Sequence, residues 1–180
     1  GVVSEKLASV MNQYGKRVLI TYGGGSIKRT APGHDKSLYD LVKDTLTDKQ
    51  VFELGGIQPN PKFNPSVLDG VRMCQDNDID VILAVGGGSV LDCTKAIAGV
   101  AGTLKTKVTD NVEEAWDIVC GRKPTTAAVP IVDIITMAAT GSEYDMGGVI
   151  SRTETNDKLA YFSKLVFPAV SFIDPTYTFT

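Results

Sequence analysis

The chain has 180 residues, 43% of them hydrophobic and 22% charged, with a formal net charge of −3. That length suits one domain with a sizeable buried core. Its 18 lysines and arginines stand against 21 acids and do not cluster, which argues against a nucleic-acid partner, and no apolar run approaches the roughly 20 residues of a membrane span.

The opening stretch "GVVSEKLASVMNQYG" is amphipathic rather than a continuous apolar block, so it does not read as a signal peptide. "KRVLITY", residues 16–22, is an apolar, β-branched run that ends at Gly23, and it predicts a buried strand. His34 follows in "APGHDKS" and reads as exposed rather than catalytic. Residues 35–48 place Leu38, Leu41, Val42 and Leu46 at helical spacing. "KQVFELGG" predicts a strand closed by Gly55 and Gly56, and "IQPNPKFNP", with three prolines in nine residues, must be irregular or extended. Asn64-Pro65 supplies an N-cap and a first-turn proline to a helix that carries Val67, Leu68, Val71 and Met73 or Cys74. The strand "DVILAV", a second glycine loop and a helix from Val90 to about Val100 come next, then a strand in "TAAVPIVDII". After Gly141 the rhythm changes to shorter extended pieces, "MGGVISRTE", "DKLAYFSK" and "PAVSFIDP".

Strand and helix alternating over the first 135 residues predict an α/β, Rossmann-like parallel sheet flanked by helices. The extended pieces become an appended β-hairpin region of the same domain, residues 1–180. The cysteines, Cys74, Cys93 and Cys120, fit neither a zinc spacing nor a disulfide framework, so reduced thiols in a cytoplasmic protein are expected. The single histidine cannot supply the two or three imidazoles usual in a catalytic transition-metal site.

Both glycine loops fall at strand carboxyl ends, where such sheets bind ligands. At Gly86, Gly87, Gly88 and Ser89 a helix start offers unpaired N–H groups and a positive dipole end to a phosphate. Ser89 either caps the helix or donates to a phosphate oxygen, and Asp92 stands at capping-box spacing. A tight turn without ligand is the alternative. The loop is neither G-x-G-x-x-G nor a Walker motif, which argues against P-loop kinases and ATPases.

The first loop, Gly23, Gly24, Gly25 and Ser26, has no Asp or Glu anywhere between Val18 and Pro32, and it is followed by Lys28 and Arg29. An NAD site usually presents a carboxylate to the ribose hydroxyls, whereas cations suit a 2′-phosphate. NADP is therefore expected over NAD, unless Lys28 and Arg29 are solvated surface residues. In "TMAATGSEYDMGGVIS", Thr136, Thr140 and Ser142 either bond a ligand or satisfy a turn.

Six ordered stretches, "VLITYGGGSIK", "FELGGIQPNP", "LAVGGGSVLDCTKAIA", "ATGSE", "VISRTETNDKLAY" and "DPTYTFT", resemble the iron-containing (group III) alcohol dehydrogenase family. The resemblance is to its NADP-dependent butanol dehydrogenase and aldehyde reductase branch. It implies reversible reduction of small aldehydes to primary alcohols. It also implies a divalent metal, iron or zinc, held by an Asp and three His in an all-helical domain. That domain would lie beyond Asp174-Pro175, so the metal half is expected to be absent, and no metal ligand or catalytic residue is expected within residues 1–180.

The resemblance also implies roles. Gly23, Gly24 and Ser26 match the loop at the adenosine ribose; Gly87, Gly88 and Ser89 match the pyrophosphate loop. Thr136 and Thr140 match threonines on the phosphate and nicotinamide side, and Val149 and Ser151 match positions in the nicotinamide pocket. Lys158 matches a lysine at the nicotinamide ribose, and Thr178 lies where the family closes over the adenine. Asp92 resembles an acid facing the cleft, either substrate-side or structural. The family admits a homodimer, which no apolar stripe in the sequence marks. Glycerol dehydrogenase-like enzymes share the glycine-serine loop and are the alternative, as is a nucleotide-binding module inactive on its own.

Overall fold

Runs rich in valine and isoleucine form the strands of a parallel sheet, because branched side chains pack well on a pleated surface. The computed structural model describes residues 1–137 and 141–178. Helix α1 (Val2–Met11) leads into β1 (Arg17–Tyr22), α2 (Leu38–Thr45), β2 (Gln50–Leu54), α3 (Leu68–Asn77) and β3 (Val81–Gly86). Then come α4 (Gly88–Thr103), α5 (Val112–Val119), β4 (Ile131–Ile135), the pair β5 (Gly147–Arg152) and β6 (Asp157–Phe162), β7 (Val170–Ile173) and a last turn, α6 (Pro175–Thr178). The five-stranded sheet has the order β2-β1-β3-β4-β7, with every neighbour parallel.

Alternation along each strand divides the core. Val18, Ile20 and Tyr22 of β1 pack with Val3 and Leu7 of α1 and Leu38 and Val42 of α2. Leu19 points to the other face, where α3, α4 and α5 bring Val71, Ile97 and Trp116. Each aliphatic side chain fully buried this way stabilises by about 1.5–3 kcal/mol. Among the described residues, no helix is long and apolar enough to cross a membrane.

The predicted α/β sheet is observed, with shifted boundaries. Helix α2 starts at Leu38 because Ser37 caps it: its Oγ accepts the Asp40 N–H at 3.1 Å. Asn64 caps nothing. The Asn64–Pro65 bond is cis, residues Phe63–Val67 form a π-type turn, and the Asn64 amide donates to Glu154 at 2.9 Å. Strand β4 begins only at Ile131, since Pro130 before it lacks a ladder N–H. Helix α5 is not foreseen from the sequence; it buries Ala115, Trp116, Ile118 and Val119.

Only the first two of the three extended pieces form the appended region, the antiparallel hairpin β5–β6. "PAVSFIDP" instead supplies β7, which joins the main sheet parallel to β4, its valine and phenylalanine packing at that edge. The hairpin lies on α4, where a Cβ at Gly99 would stand 1.9 Å from the Tyr161 hydroxyl. Only glycine lets the hairpin sit this close.

Candidate functional site

Strand β1 has β2 on one side and β3 on the other, so the chain reverses its direction of travel across the sheet between them. At such a switch point the crossover loops part and leave a crevice outside the strand carboxyl ends. Parallel pairing sets the levels. Tyr22 lies opposite Val85, so Gly23 and Gly86, 63 residues apart in sequence, leave the sheet side by side. Ile135 lies opposite Gly86, and the Thr136 N–H donates to the Gly86 carbonyl at 3.0 Å. The carboxyl ends of β1, β3 and β4 thus form one rim.

Each loop presents a different surface. After Gly23, residues Gly25–Lys28 make a single 3-10 turn, and among the described residues nothing lies within 4 Å of where a Cβ on Gly24 or Gly25 would be. That open side leaves room for a bulky group. Helix α4 begins after Gly87, and no side chain among the described residues caps it. Its first-turn N–H groups and the dipole of 16 residues are left to a ligand at the rim.

The expected capping box at Ser89 and Asp92 is absent, because Asp92 is committed elsewhere. Its carboxylate accepts the Val149 N–H at 3.1 Å and the Ser142 hydroxyl at 3.4 Å. Burial raises its pKa, against the pull of those donors. Asp92 therefore acts as a strut from α4 to the hairpin. One turn further, the fully buried Lys95 donates to the carbonyls of Ser142 at 2.6 Å, Asp145 at 2.9 Å and Gly147 at 2.9 Å, and pairs with the Asp145 carboxylate. On the opposite side Thr94 bonds Thr21 of β1 at 2.7 Å. Helix α4 is thus tied on one side to the hairpin and on the other to β1.

A cleft of about 610 Å³ opens beside the first loop. Ser26, Arg29, Pro32, Leu38, Thr136 and Tyr177 line it. Tyr177 stacks on His34 with ring centroids 4.2 Å apart and planes at 20°. His34 is half-buried, not exposed as the sequence suggests; the aromatic partner 143 residues away in the chain accounts for it.

The remaining candidates divide. Thr136 lines the cleft, and Thr178 sits in α6 beside Tyr177, its hydroxyl donating to Pro175 at 3.1 Å. Val149 is tied to α4 through Asp92. Ser151 and Lys158, facing partners in the hairpin, line a separate hollow of about 290 Å³ with Asn60 and Lys62; the Lys158 amine lies 3.3 Å from the Asn60 side chain. Lys28 lies over the rings of Tyr22 and Tyr39. Thr140 lies outside the described residues. Sequence reasoning missed Tyr177 and Lys95. Tyr177 sits in a quoted motif, and a lysine inside an apolar helix was a visible signal.

Among the described residues, no three His, Cys, Asp or Glu side chains stand together as a metal site. Burial pushes the Cys74 thiol up to about 12 and raises Cys93 further, so neither is a ready thiolate ligand.

The family model for iron-containing alcohol dehydrogenases matches residues 2–175. The chain belongs to the iron-containing alcohol dehydrogenase family. It is 46% identical over 178 residues to the probable NADH-dependent butanol dehydrogenase 1 of Bacillus subtilis, covering 98% of this chain and 42% of that protein. It is 42% identical over 164 residues to the NADPH-dependent aldehyde reductase YqhD of Escherichia coli, covering 91% and 39%. The crystal structure of NADH-dependent butanol dehydrogenase A from Thermotoga maritima superposes with a TM-score of 0.84 at 35% identity, over 100% of this chain and 42% of that one. The chain therefore spans about two fifths of these relatives. Within this iron-containing alcohol dehydrogenase chain, the open glycine turn, the uncapped helix and the adjoining cleft form a surface that fits a dinucleotide. The described residues offer no matching fit for the metal in the family's name.

Proposed function

We propose that this chain supplies the cofactor-binding half of an NAD(P)-linked oxidoreductase that interconverts small aldehydes and primary alcohols. The observation that carries the reading is the level alignment of Gly23 and Gly86 at the switch point. It offers one crevice to the two halves of a dinucleotide. The pyrophosphate rests at the start of α4, on Gly87, Gly88 and Ser89. The adenosine enters the cleft between Ser26 and Tyr177. The nicotinamide extends toward Thr136 and Val149, with Ser151 and Lys158 further along the hairpin. The nicotinamide carries the hydride; the chain orients it. No residue described here is assigned to polarising the substrate carbonyl.

We further infer that NADP is preferred over NAD. Relatives carry names of both kinds. The preference is supported by the first loop itself. It has no carboxylate to bond a ribose 2′-hydroxyl, and it carries Ser26, Lys28 and Arg29. Calorimetric titration of the chain tests both parts. NADP is expected to bind more tightly than NAD. Equal affinities would sink the 2′-phosphate reading, and no binding of either would sink the cofactor reading.

A further inference from the structure

Glu53 stands next to last in β2, at the strand end where a Rossmann-like fold holds its ribose-binding acid. Here the carboxylate is fully engaged. Its Oε1 accepts the Tyr22 hydroxyl at 3.0 Å, and its Oε2 accepts the Tyr39 hydroxyl at 3.0 Å and the Lys43 ammonium at 3.1 Å. Burial by itself would raise this carboxyl; the three donors outweigh it and hold the pKa below its ordinary value. The acid stays ionised and has little left to offer a sugar.

The same contacts fix two aromatic rings. With both hydroxyls pinned to one carboxylate, Tyr22 and Tyr39 meet edge to face, centroids 5.9 Å apart at 72°. The Lys28 ammonium lies 5.3 Å from the Tyr22 centroid and 4.8 Å from that of Tyr39. Among the described residues Lys28 forms no ion pair, so its N–H donors are uncommitted. A free lysine sweeps many rotamers and loses that entropy on binding. Resting on two π-faces limits the sweep, and phenols donating to a carboxylate have more electron-rich faces for a cation. Lys28 does not line the 610 Å³ cleft, but it adjoins Arg29, which does.

We propose that Tyr22, Tyr39 and Glu53 are positioning residues that hold Lys28 ready for the 2′-phosphate of a bound nucleotide. The inference rests on the 2′-phosphate reading above and adds the device that prepares the cation. Lys28 touches the ligand; the platform acts only through it.

The test is a binding cycle on the full 180-residue chain with NADP and NAD as probes. Lys28→Met is expected to weaken NADP about tenfold or more, the loss of a charge-assisted hydrogen bond, and to leave NAD within twofold. Tyr39→Leu is expected to weaken NADP about 2–5-fold, as loss of an exposed cation–π contact implies, again sparing NAD. In the Lys28→Met background, Tyr39→Leu should produce no further loss. Tyr39→Phe keeps the ring and guards against misfolding; it should fall between parent and Tyr39→Leu. If Tyr39→Leu weakens both cofactors equally, or weakens NADP as much without Lys28, the platform proposal is overturned while the 2′-phosphate reading stands. If Lys28→Met leaves the NADP to NAD ratio unchanged, both fall.

Discussion

Lys95 of α4 donates to the backbone carbonyl of Gly147, 52 residues later in the chain, at 2.9 Å. With the Ser142 and Asp145 contacts, one ammonium gathers residues 142–147 at the start of the hairpin. An ammonium has three protons, and this one meets four acceptors, so none is wasted on solvent.

Removing that cation should be costly. Lys95→Met leaves buried carbonyls without a donor, and it is expected to lower unfolding free energy by about 3–5 kcal/mol. Asp145→Asn should do much less, because that side chain is 52% exposed and water replaces the contact. Urea denaturation of both variants checks the contrast; equal losses would mean the carboxylate, not the carbonyl cage, matters.

Asp133 predicts a pH dependence. It is fully buried in β4, and one oxygen accepts the Ser171 hydroxyl at 2.7 Å. The other has no hydrogen-bond partner among the described residues. Burial drives its pKa to about 7, against Ser171, which lowers it; Glu143 adds to the rise. The folded state therefore holds a proton that the unfolded state releases near pH 4. Between about pH 4 and 7 the unfolded chain binds fewer protons, so stability falls as pH rises, then levels off. At about 1.4 kcal/mol per pKa unit, the sum is on the order of a few kcal/mol. Asp133→Asn should flatten the profile and raise the melting temperature above pH 7. A variant that tracks the parent at every pH would contradict this.

Gly148 should not tolerate a methyl group. A Cβ there would lie 2.7 Å from the Asp92 Cβ and 2.8 Å from its Cα. Backbone cannot swing aside, so Gly148→Ala should lift β5 off α4 and cost about 1–3 kcal/mol. Amide exchange at Val149, whose N–H is bonded to Asp92, should speed up in the variant; unchanged protection would show that the strut survives.

Gly23→Asp should reverse the cofactor order. A Cβ at Gly23 would meet the Ile57 carbonyl at 3.2 Å, which a small shift of a few tenths of an ångström relieves. The new carboxylate would repel a 2′-phosphate and bond a ribose hydroxyl instead. Titration with both cofactors reads the ratio, and a ratio that stays in favour of NADP refutes the argument.

If residues 1–180 supply only the cofactor-binding half, as proposed, they should bind nucleotide without reducing aldehydes. Oxidation of NADPH by residues 1–180 in the presence of butanal, above the protein-free rate, would overturn that expectation.

The sheet, its parallel sense and both glycine loops were legible because apolar runs and glycine clusters are local signals. What failed was capping. Asn64 and Ser89 carry the right chemistry for helix starts, yet the Asn64 amide is turned to Glu154 and Asp92's bond to Val149 takes the partner of the second. Helix α5 was overlooked although "NVEEAWDIV" carries a start signal, Asn111 at the N-cap with Glu113 and Glu114 in the first turn; its burial comes from Trp116 packing on Phe63, ring centroids 4.9 Å apart. The cleft depends on Tyr177 reaching His34, a pairing set by the sheet and invisible to any short window.

The pairing of Tyr22 with Val85 bears on which insertions the chain tolerates. The spacing between the glycine loops is a by-product; what matters is how far each strand runs past its neighbour. Residues added to the loop after Gly55 would change the count and leave both loops level. One residue added inside β1 or β3 would advance a single loop by about 3.3 Å and turn its last side chains to the opposite face. Length variation should therefore be confined to the connections, with β1 and β3 fixed to the residue.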